Sequence, residues 1–252
     1  MSRIITLFNQ KGGVGKTTTC ANVCASMAIF NKKVLAIDFD PQRNLTSGLI
    51  VERKRHINNI YNILTDDVPM SECIIETSIK NLDIIPGSID LAGAEVEMTN
   101  MLQRETILLR ALKEIEDKYE YILIDCPPSL GLLPINALAA STDVIIPIQC
   151  EYYALEGVSQ LINTINLVKK GLNPSLNIMG VVLTMYDKRT NLSQQVTDEV
   201  KNYFSEKVFE TIIPRNIRLA EAPSHGMSII EYDMSSKGSQ AYLDLTNEIL
   251  HR

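Results

Sequence analysis

Short runs of Ile, Val and Leu recur along the chain and alternate with amphipathic stretches of helical length. The runs Ile4–Phe8, Val34–Ile37, Leu82–Ile85, Tyr121–Ile124, Val144–Ile148, Ile178–Thr184 and Val208–Ile213 are apolar at most consecutive positions rather than at every second one. A strand covered on one face alternates apolar with polar, so near-continuous runs predict strands covered on both faces. Helices are predicted over Lys16–Phe30, Ala94–Lys118, Leu132–Ala140, Leu155–Lys170, Leu192–Tyr203 and Ser236–Leu250. Strand and helix take turns throughout. That order predicts an α/β fold: an open, doubly wound, mostly parallel sheet with helices on both faces and ligand sites outside the carboxyl ends of the strands.

Composition narrows this picture rather than changing it. At roughly 150 residues per domain, a chain of 252 residues holds one or two domains. No break in composition marks a linker, so a single domain over 1–252 is expected. The chain is 45% hydrophobic and 21% charged, values of an ordinary folded protein rather than of a disordered or fibrous one. A net charge of −6 removes any argument for a chain that coats nucleic acid wholesale, so DNA or membrane contact must come from a local patch. No apolar run reaches the ~20 residues that span a bilayer, and the first eight residues are too short for a secretory signal; a cytoplasmic location is expected. Cys20, Cys24, Cys73, Cys126 and Cys150 are scattered without CxxC pairs, which suits reduced, packed thiols. Arg53, Lys54, Arg55 and His56, within the polar segment Glu52–Asn59, read as a solvated connection.

The candidate chemistry begins directly after the first strand. Asn9-Gln10-Lys11-Gly12-Gly13-Val14-Gly15-Lys16-Thr17-Thr18 leads into a helix, in the order strand, glycine loop, helix. Glycines let successive backbone N–H groups turn inward, and the helix adds its positive N-terminal end, so together they form a phosphate cradle. Lys16 would reach the β/γ-phosphates, and the Thr17 hydroxyl would meet Mg²⁺. Where G-x-x-x-x-G-K-[ST] has its first glycine stands Gln10, and a second lysine, Lys11, precedes Lys16 by five residues. On the residues alone Lys11 is either a solvated loop lysine or a second cation for the nucleotide.

The segment Lys11–Thr18 resembles the deviant phosphate loop of the ParA/MinD family of ATPases, a P-loop NTPase fold. Asp38-Phe39-Asp40-Pro41-Gln42 and Ile124-Asp125-Cys126-Pro127-Pro128-Ser129-Leu130-Gly131 resemble its two switch segments. Tyr186–Leu192, Ile213–Leu219 and Glu221–Gly226 resemble the chromosome-partitioning ParA/Soj branch. The resemblance implies ATP and Mg²⁺ as cofactors, with Gly12, Gly13, Val14, Gly15, Lys16, Thr17 and Thr18 around the phosphates. It further implies that Lys11 reaches the ATP of a second subunit, that Asp40 positions the attacking water, and that Pro214 and Asn216 flank the adenine. Asp125 ends a buried run, and Pro127 and Pro128 delay any helix after it. It therefore stands where a metal-side carboxylate is needed, through a water, although such a residue can also cap the next helix.

Several functions share this machinery. An iron–sulfur reductase would need a second cysteine near residue 95, and a lipid-binding relative a basic amphipathic C-terminal helix; residues 241–252 hold Asp244 and Glu248 and no lysine. Membrane binding is not expected. The resemblance assigns Arg189 and Arg218 to phosphates of duplex DNA, with Lys188, Lys169 and Lys170 as neighbours. The alternative is that both arginines merely pair with Asp187 and Glu221 on the surface. The expected function is an ATP-dependent homodimeric switch that binds DNA non-specifically and segregates a chromosome or plasmid with a ParB-type partner; an ATPase positioning another cargo, or a ligase of the dethiobiotin type, is the alternative. With strand one at the very start, no helix-turn-helix extension, and hence no operator-specific repression, is expected.

Overall fold

The computed structural model describes residues 2–50, 58–152 and 154–252. The basic cluster Arg53, Lys54, Arg55 and His56 lies outside them. In chain order the elements are β1 (Arg3–Leu7), α1 (Lys16–Ile29), β2 (Val34–Asp38), α2 (Asn44–Leu49), α3 (Ile60–Thr65), β3 (Ile75–Glu76), β4 (Leu82–Ile85), α4 (Leu91–Met98), α5 (Ile107–Leu112) and β5 (Tyr121–Asp125). The second half follows with α6 (Leu132–Ala140), β6 (Asp143–Gln149), α7 (Val158–Gly171), β7 (Asn177–Thr184), α8 (Asn191–Phe204), α9 (Ile217–Glu221), α10 (Ile229–Tyr232) and α11 (Lys237–His251).

The strands form one seven-stranded sheet in the order β3-β4-β2-β5-β1-β6-β7. Every pairing is parallel except that of the two-residue edge strand β3 with β4. The pleat sends alternate side chains to opposite faces. Ile5, Leu7, Val34, Ala36, Leu82 and Ile84 pack against α1 and α11 on one side. On the other, Ile4, Leu35, Ile37, Ile122 and Ile124 meet α3 to α6, and Val144, Ile146, Val181 and Leu183 meet α7 and α8. Two-sided burial is why the strands read as continuous apolar runs. All five cysteines are free thiols in this packed interior. No helix among the described residues is long and apolar enough to cross a membrane.

Six of the seven expected strands form, each within a residue of its expected bounds. The seventh, Val208–Ile213, does not. It meets the sheet edge through an isolated bridge of Val208 with Val181 and through the amides of Phe209 and Ile213, which donate to the Val181 and Leu183 carbonyls. Between them the Thr211 amide, which a ladder would need next, donates with that of Glu210 to the Glu248 carboxylate of α11. The helix expected over Ala94–Lys118 is also broken, into α4, a 3₁₀ turn at Arg104–Thr106 and α5. Gln103 takes a left-handed φ of 54°. Asn136 of α6 receives the Leu108 amide and donates to the Arg104 carbonyl, so backbone groups freed at the break find partners in a neighbouring helix.

Parallel register sets the functional edge. Leu7, Asp38 and Asp125 are in register across β1, β5 and β2, and Gln149 lies opposite Thr184 across β6 and β7. The carboxyl ends of the central strands therefore form one rim, with the β1–α1 loop above it.

On β7, Gly180 is a packing requirement: a Cβ there would lie 2.6 Å from the Phe209 ring and 2.9 Å from the Lys207 carbonyl. Gly180→Ala is expected to cost ~1–3 kcal/mol through overpacking and to lower the thermal midpoint by about 2–4 °C per kcal/mol. A melting curve matching the wild type would show that the 207–209 segment yields freely.

Candidate nucleotide site

The β1–α1 loop is shaped by its glycines. Gly13 and Gly15 adopt φ of 75° and 89°, a region closed to most side chains, while Gly12 and Gly13 are exposed. Asn9 anchors the start of the loop, donating to the Pro147 carbonyl and accepting the Lys11 amide. Thr184, at the end of β7, anchors the middle, its hydroxyl donating to the Val14 carbonyl at 2.8 Å. The loop is thus held to β6 and β7 while its amides remain free to turn inward. Lys16 begins α1 and is 6% exposed. Its ammonium donates to the Lys11 carbonyl at 3.1 Å, and burial lowers its pKa while Asp125, Cys126 and Asp40 pull the other way. Lys11 itself makes no ion pair among the described residues and stays half-buried at the rim.

Beneath the loop lies a cluster of acids. Asp125 is fully buried, and among the described residues neither carboxylate oxygen has a well-formed hydrogen bond, Thr17 being its nearby hydroxyl. Burial, then the neighbouring Asp38, pushes its pKa well above the usual carboxylate range, and Thr17 offsets this only in part. A buried acid short of partners, beside a lysine and a threonine hydroxyl, has the donor chemistry a hard divalent cation takes. The residues present therefore fit Mg²⁺. Asp40 is 6% exposed, and its Oδ1 accepts the Gln42 amide at 2.9 Å.

Asp38 was not singled out as a site residue by the sequence, and the structure makes it central. It is fully buried, and its Oδ2 accepts from both the amide and the hydroxyl of Thr46 at 2.7 and 2.6 Å. The Thr46 hydroxyl also receives the Gly87 amide, and Gly87 packs so closely that a Cβ would lie 2.9 Å from the Asp38 carboxyl carbon. Burial raises the Asp38 pKa to about 6 against these hydrogen bonds. One signal was available: like Asp125, Asp38 is an acid closing a buried strand.

From Gly15 and Thr18 a cleft of about 780 Å³ opens away from the sheet. Its walls are Thr184–Arg189 on one side and Ile213–Ile217 on the other, so Pro214 and Asn216 line it. Tyr186 and Pro214 bridge the two walls in parallel, and the Arg215 amide donates to the Tyr186 carbonyl. Asn216 also caps α9, its Oδ1 accepting the Arg218 amide. Arg189 stands on this same cleft; Arg218 lies just beyond it. Both are exposed and paired as the surface alternative foresaw. Arg189 grips Asp187 through Nε at 2.9 Å and Nη2 at 2.6 Å, and Arg218 meets Glu221 at 2.9 Å and Asp233 at 3.7 Å.

Glycine loop, buried lysine, buried carboxylate and adjoining cleft, set at the carboxyl edge of a parallel sheet, define a nucleoside-triphosphate-binding protein of the phosphate-loop class. Residues 2–178 match the family described as an AAA domain. The chain is 57% identical over 249 residues to the sporulation initiation inhibitor protein Soj of Bacillus subtilis, covering 99% of this chain and 98% of that one. It is 52% identical to the chromosome partitioning protein ParA of Myxococcus xanthus, over 100% of this chain and 89% of that one. The chain belongs to the Soj/ParA family of chromosome-partitioning ATPases. Among solved structures it resembles the cobyrinic acid a,c-diamide synthase of Mycobacterium smegmatis with bound ADP and magnesium, at 36% identity and a TM-score of 0.87 over 100% of this chain and 95% of that one. It also resembles a putative plasmid partition protein of Borrelia burgdorferi bound to AMPPNP, at 29% identity and 0.83 over 100% and 99%.

The raised pKa of Asp38 fixes the sign of a pH effect. Its folded value of about 6 lies above its ordinary 3.8, so between these values the folded protein holds the extra proton, and stability falls as pH rises through that window. Without nucleotide or Mg²⁺, Asp38→Asn is expected to remove a loss on the order of 3 kcal/mol between pH 4 and pH 7. Denaturant titrations at the two pH values check this, and parallel changes in wild type and variant would contradict it.

Proposed function

We propose that this chain is an ATP-dependent dimerising switch, one ATPase domain over its length, that binds duplex DNA without sequence preference and hydrolyses ATP to segregate a chromosome or plasmid with a ParB-type partner. The observation that carries the reading is Asp125, fully buried and unpartnered beside Lys16 beneath the glycine loop. It is an acid arranged for a cation that arrives with a nucleotide. Family membership supplies the partitioning context.

In this reading the amides of Gly12 to Thr18 cradle the phosphates, and Lys16 leaves the Lys11 carbonyl for the β/γ-phosphate oxygens. Thr17 and, through a water, Asp125 hold Mg²⁺, which when bound neutralises charge across those oxygens. Pro214 and Asn216 flank the base. Asp40, its carboxylate oriented by the Gln42 amide, uses its other oxygen to place the attacking water in line with the γ-phosphorus. Lys11, held at the exposed rim by Asn9, reaches the nucleotide of a second subunit and stabilises charge there. Hydrolysis thereby depends on dimerisation. Phosphoryl transfer asks little covalent chemistry of a protein, so positioning and charge neutralisation suffice.

Arg189 and Arg218 contact DNA phosphates. A dimer doubles the patch, and this is how a chain of net charge −6 makes switchable contacts with a polyanion and associates with the nucleoid in the cytoplasm. Two experiments test the proposal. Asp40→Ala is expected to dimerise with ATP yet lose about 10²-fold or more in turnover, read by light scattering and phosphate release; near-normal turnover removes Asp40 from the mechanism. Arg189→Ala or Arg218→Ala is expected to lose ATP-dependent retention on duplex DNA while still dimerising, each reducing the slope of log affinity against log salt by roughly 1.8, two contacts per symmetric dimer. Variants that bind with the wild-type slope would favour the positioning of some other cargo.

A further inference from the structure

The wall of the nucleotide cleft and the arginine proposed to meet DNA share one carboxylate. Asp187 lines the cleft, and so does Arg189. Asp187 Oδ1 accepts both the Arg189 amide, at 3.0 Å, and Nε, at 2.9 Å, while Oδ2 accepts Nη2 at 2.6 Å. Arg189 holds the Asp187 carboxyl well below the usual carboxylate range, so the pair is ionic throughout the physiological pH range. A carboxylate offers about four lone-pair directions. Three are taken by Arg189, and one on Oδ2 is left.

The same segment is continuous with the phosphate loop. The Val14 carbonyl is held by Thr184, Met185 follows with a left-handed φ of 53°, Tyr186 is laddered to the opposite wall by its amide to the Ile213 carbonyl, and Asp187 comes next. A nucleotide seated between these walls presents ring-amine and ribose-hydroxyl donors, and Asp187 is the carboxylate among the residues lining them. A donor on the open direction of Oδ2 draws charge from the Arg189 pair. Arg218 is different: its partners Glu221 and Asp233 do not line the cleft.

We infer that Asp187 is a positioning residue that ties occupancy of the nucleotide cleft to Arg189, holding the guanidinium in an intramolecular pair when the cleft is empty and easing its release to a DNA phosphate when a nucleotide fills it. This rests on the DNA role proposed for Arg189. It acts within one subunit and therefore does not require dimerisation. ADP, which fills the cleft without the γ-phosphate, is enough to reveal it.

The test is the affinity of the full chain for a labelled nonspecific duplex at low salt, without nucleotide and with ADP and Mg²⁺. The wild type is expected to bind up to about fivefold tighter with ADP, the ceiling for one exposed ion pair. Asp187→Asn keeps a side-chain oxygen for the Arg189 amide, and so the turn, but loses the charge. Its affinity is expected to be the same with and without ADP, at or above the ADP-bound wild type. In the Arg189→Ala background the same substitution is expected to change nothing, because two changes acting through one contact are not additive. Glu221→Gln is expected to raise affinity equally in both states. The inference is overturned if Asp187→Asn keeps the wild-type gap or binds more weakly in both states, if its gain survives in Arg189→Ala, or if Glu221→Gln closes the gap as well. Failure of the underlying reading looks different: Arg189→Ala alone would then bind DNA with ATP as the wild type does, whereas a defective Arg189→Ala beside an unaltered Asp187→Asn refutes the coupling only.

Discussion

Two carboxylates buried side by side at the end of the sheet are the constraint around which this molecule is arranged. Asp38 and Asp125 close neighbouring parallel strands in register, and both are fully shielded from water. Charges of like sign in such a place are costly unless something neutralises or solvates them. Asp38 is met by the amide and hydroxyl of Thr46, which Gly87 steadies in turn. Asp125 has only the weak offset of Thr17 and Lys16 and no well-formed hydrogen bond among the described residues. The nearby cation, Lys16, is itself depressed by burial and tied to a backbone carbonyl. A nucleotide carrying a divalent cation would resolve both deficits at once, giving Lys16 an anion and Asp125 a metal. The unmet electrostatic demand of these groups is thus a store of affinity, of the kind that clusters where a protein binds.

The fold makes that arrangement possible. In a parallel sheet all strands end at the same edge, and helix N-termini begin there, so buried acids and free amides are brought to one rim by topology alone. Packing on both faces then holds the rim still. Thr184 and Asn9 fasten the loop to the ends of β7 and β6, and the two outer segments 184–189 and 213–217 extend the rim into a cleft. A sheet covered on one face only would leave those strand ends in water, where Asp125 would have no reason to seek a cation.

Much of this could be read from the sequence because the signals were local. Continuous apolar runs gave six strands, and the strand–glycine loop–helix order placed Lys16 and Thr17. Asp125 stood out because prolines follow it. What escaped depended on residues far away along the chain. The run Val208–Ile213 has strand composition, yet Glu248, nearly forty residues on, takes two of its amides. Nothing between residues 94 and 118 announces a broken helix, because the groups that accept the freed backbone belong to Asn136. Asp38 looked like half of a motif rather than a buried partner of Asp125, since strand register is a property of the sheet. The ion pairs of Arg189 and Arg218 were foreseen as an alternative to DNA contact, and the structure shows those pairs.

Magnitudes leave room for the proposed DNA contact beside these pairs. An exposed ion pair contributes ~1 kcal/mol at most, whereas neutralising a duplex phosphate also releases condensed counterions. A surface carboxylate can therefore occupy an arginine in the free chain and still yield it to DNA. In the proposed function each pairing would lower the affinity of a single subunit for DNA, already opposed by a net charge of −6. A dimer of the kind proposed would place the contacts of both subunits on one duplex, and because binding free energies add, affinity would rise multiplicatively. Weak, locally neutralised contacts are consequently better suited to a reversible grip than strong ones. A patch basic enough to hold DNA as a monomer would leave ATP nothing to switch.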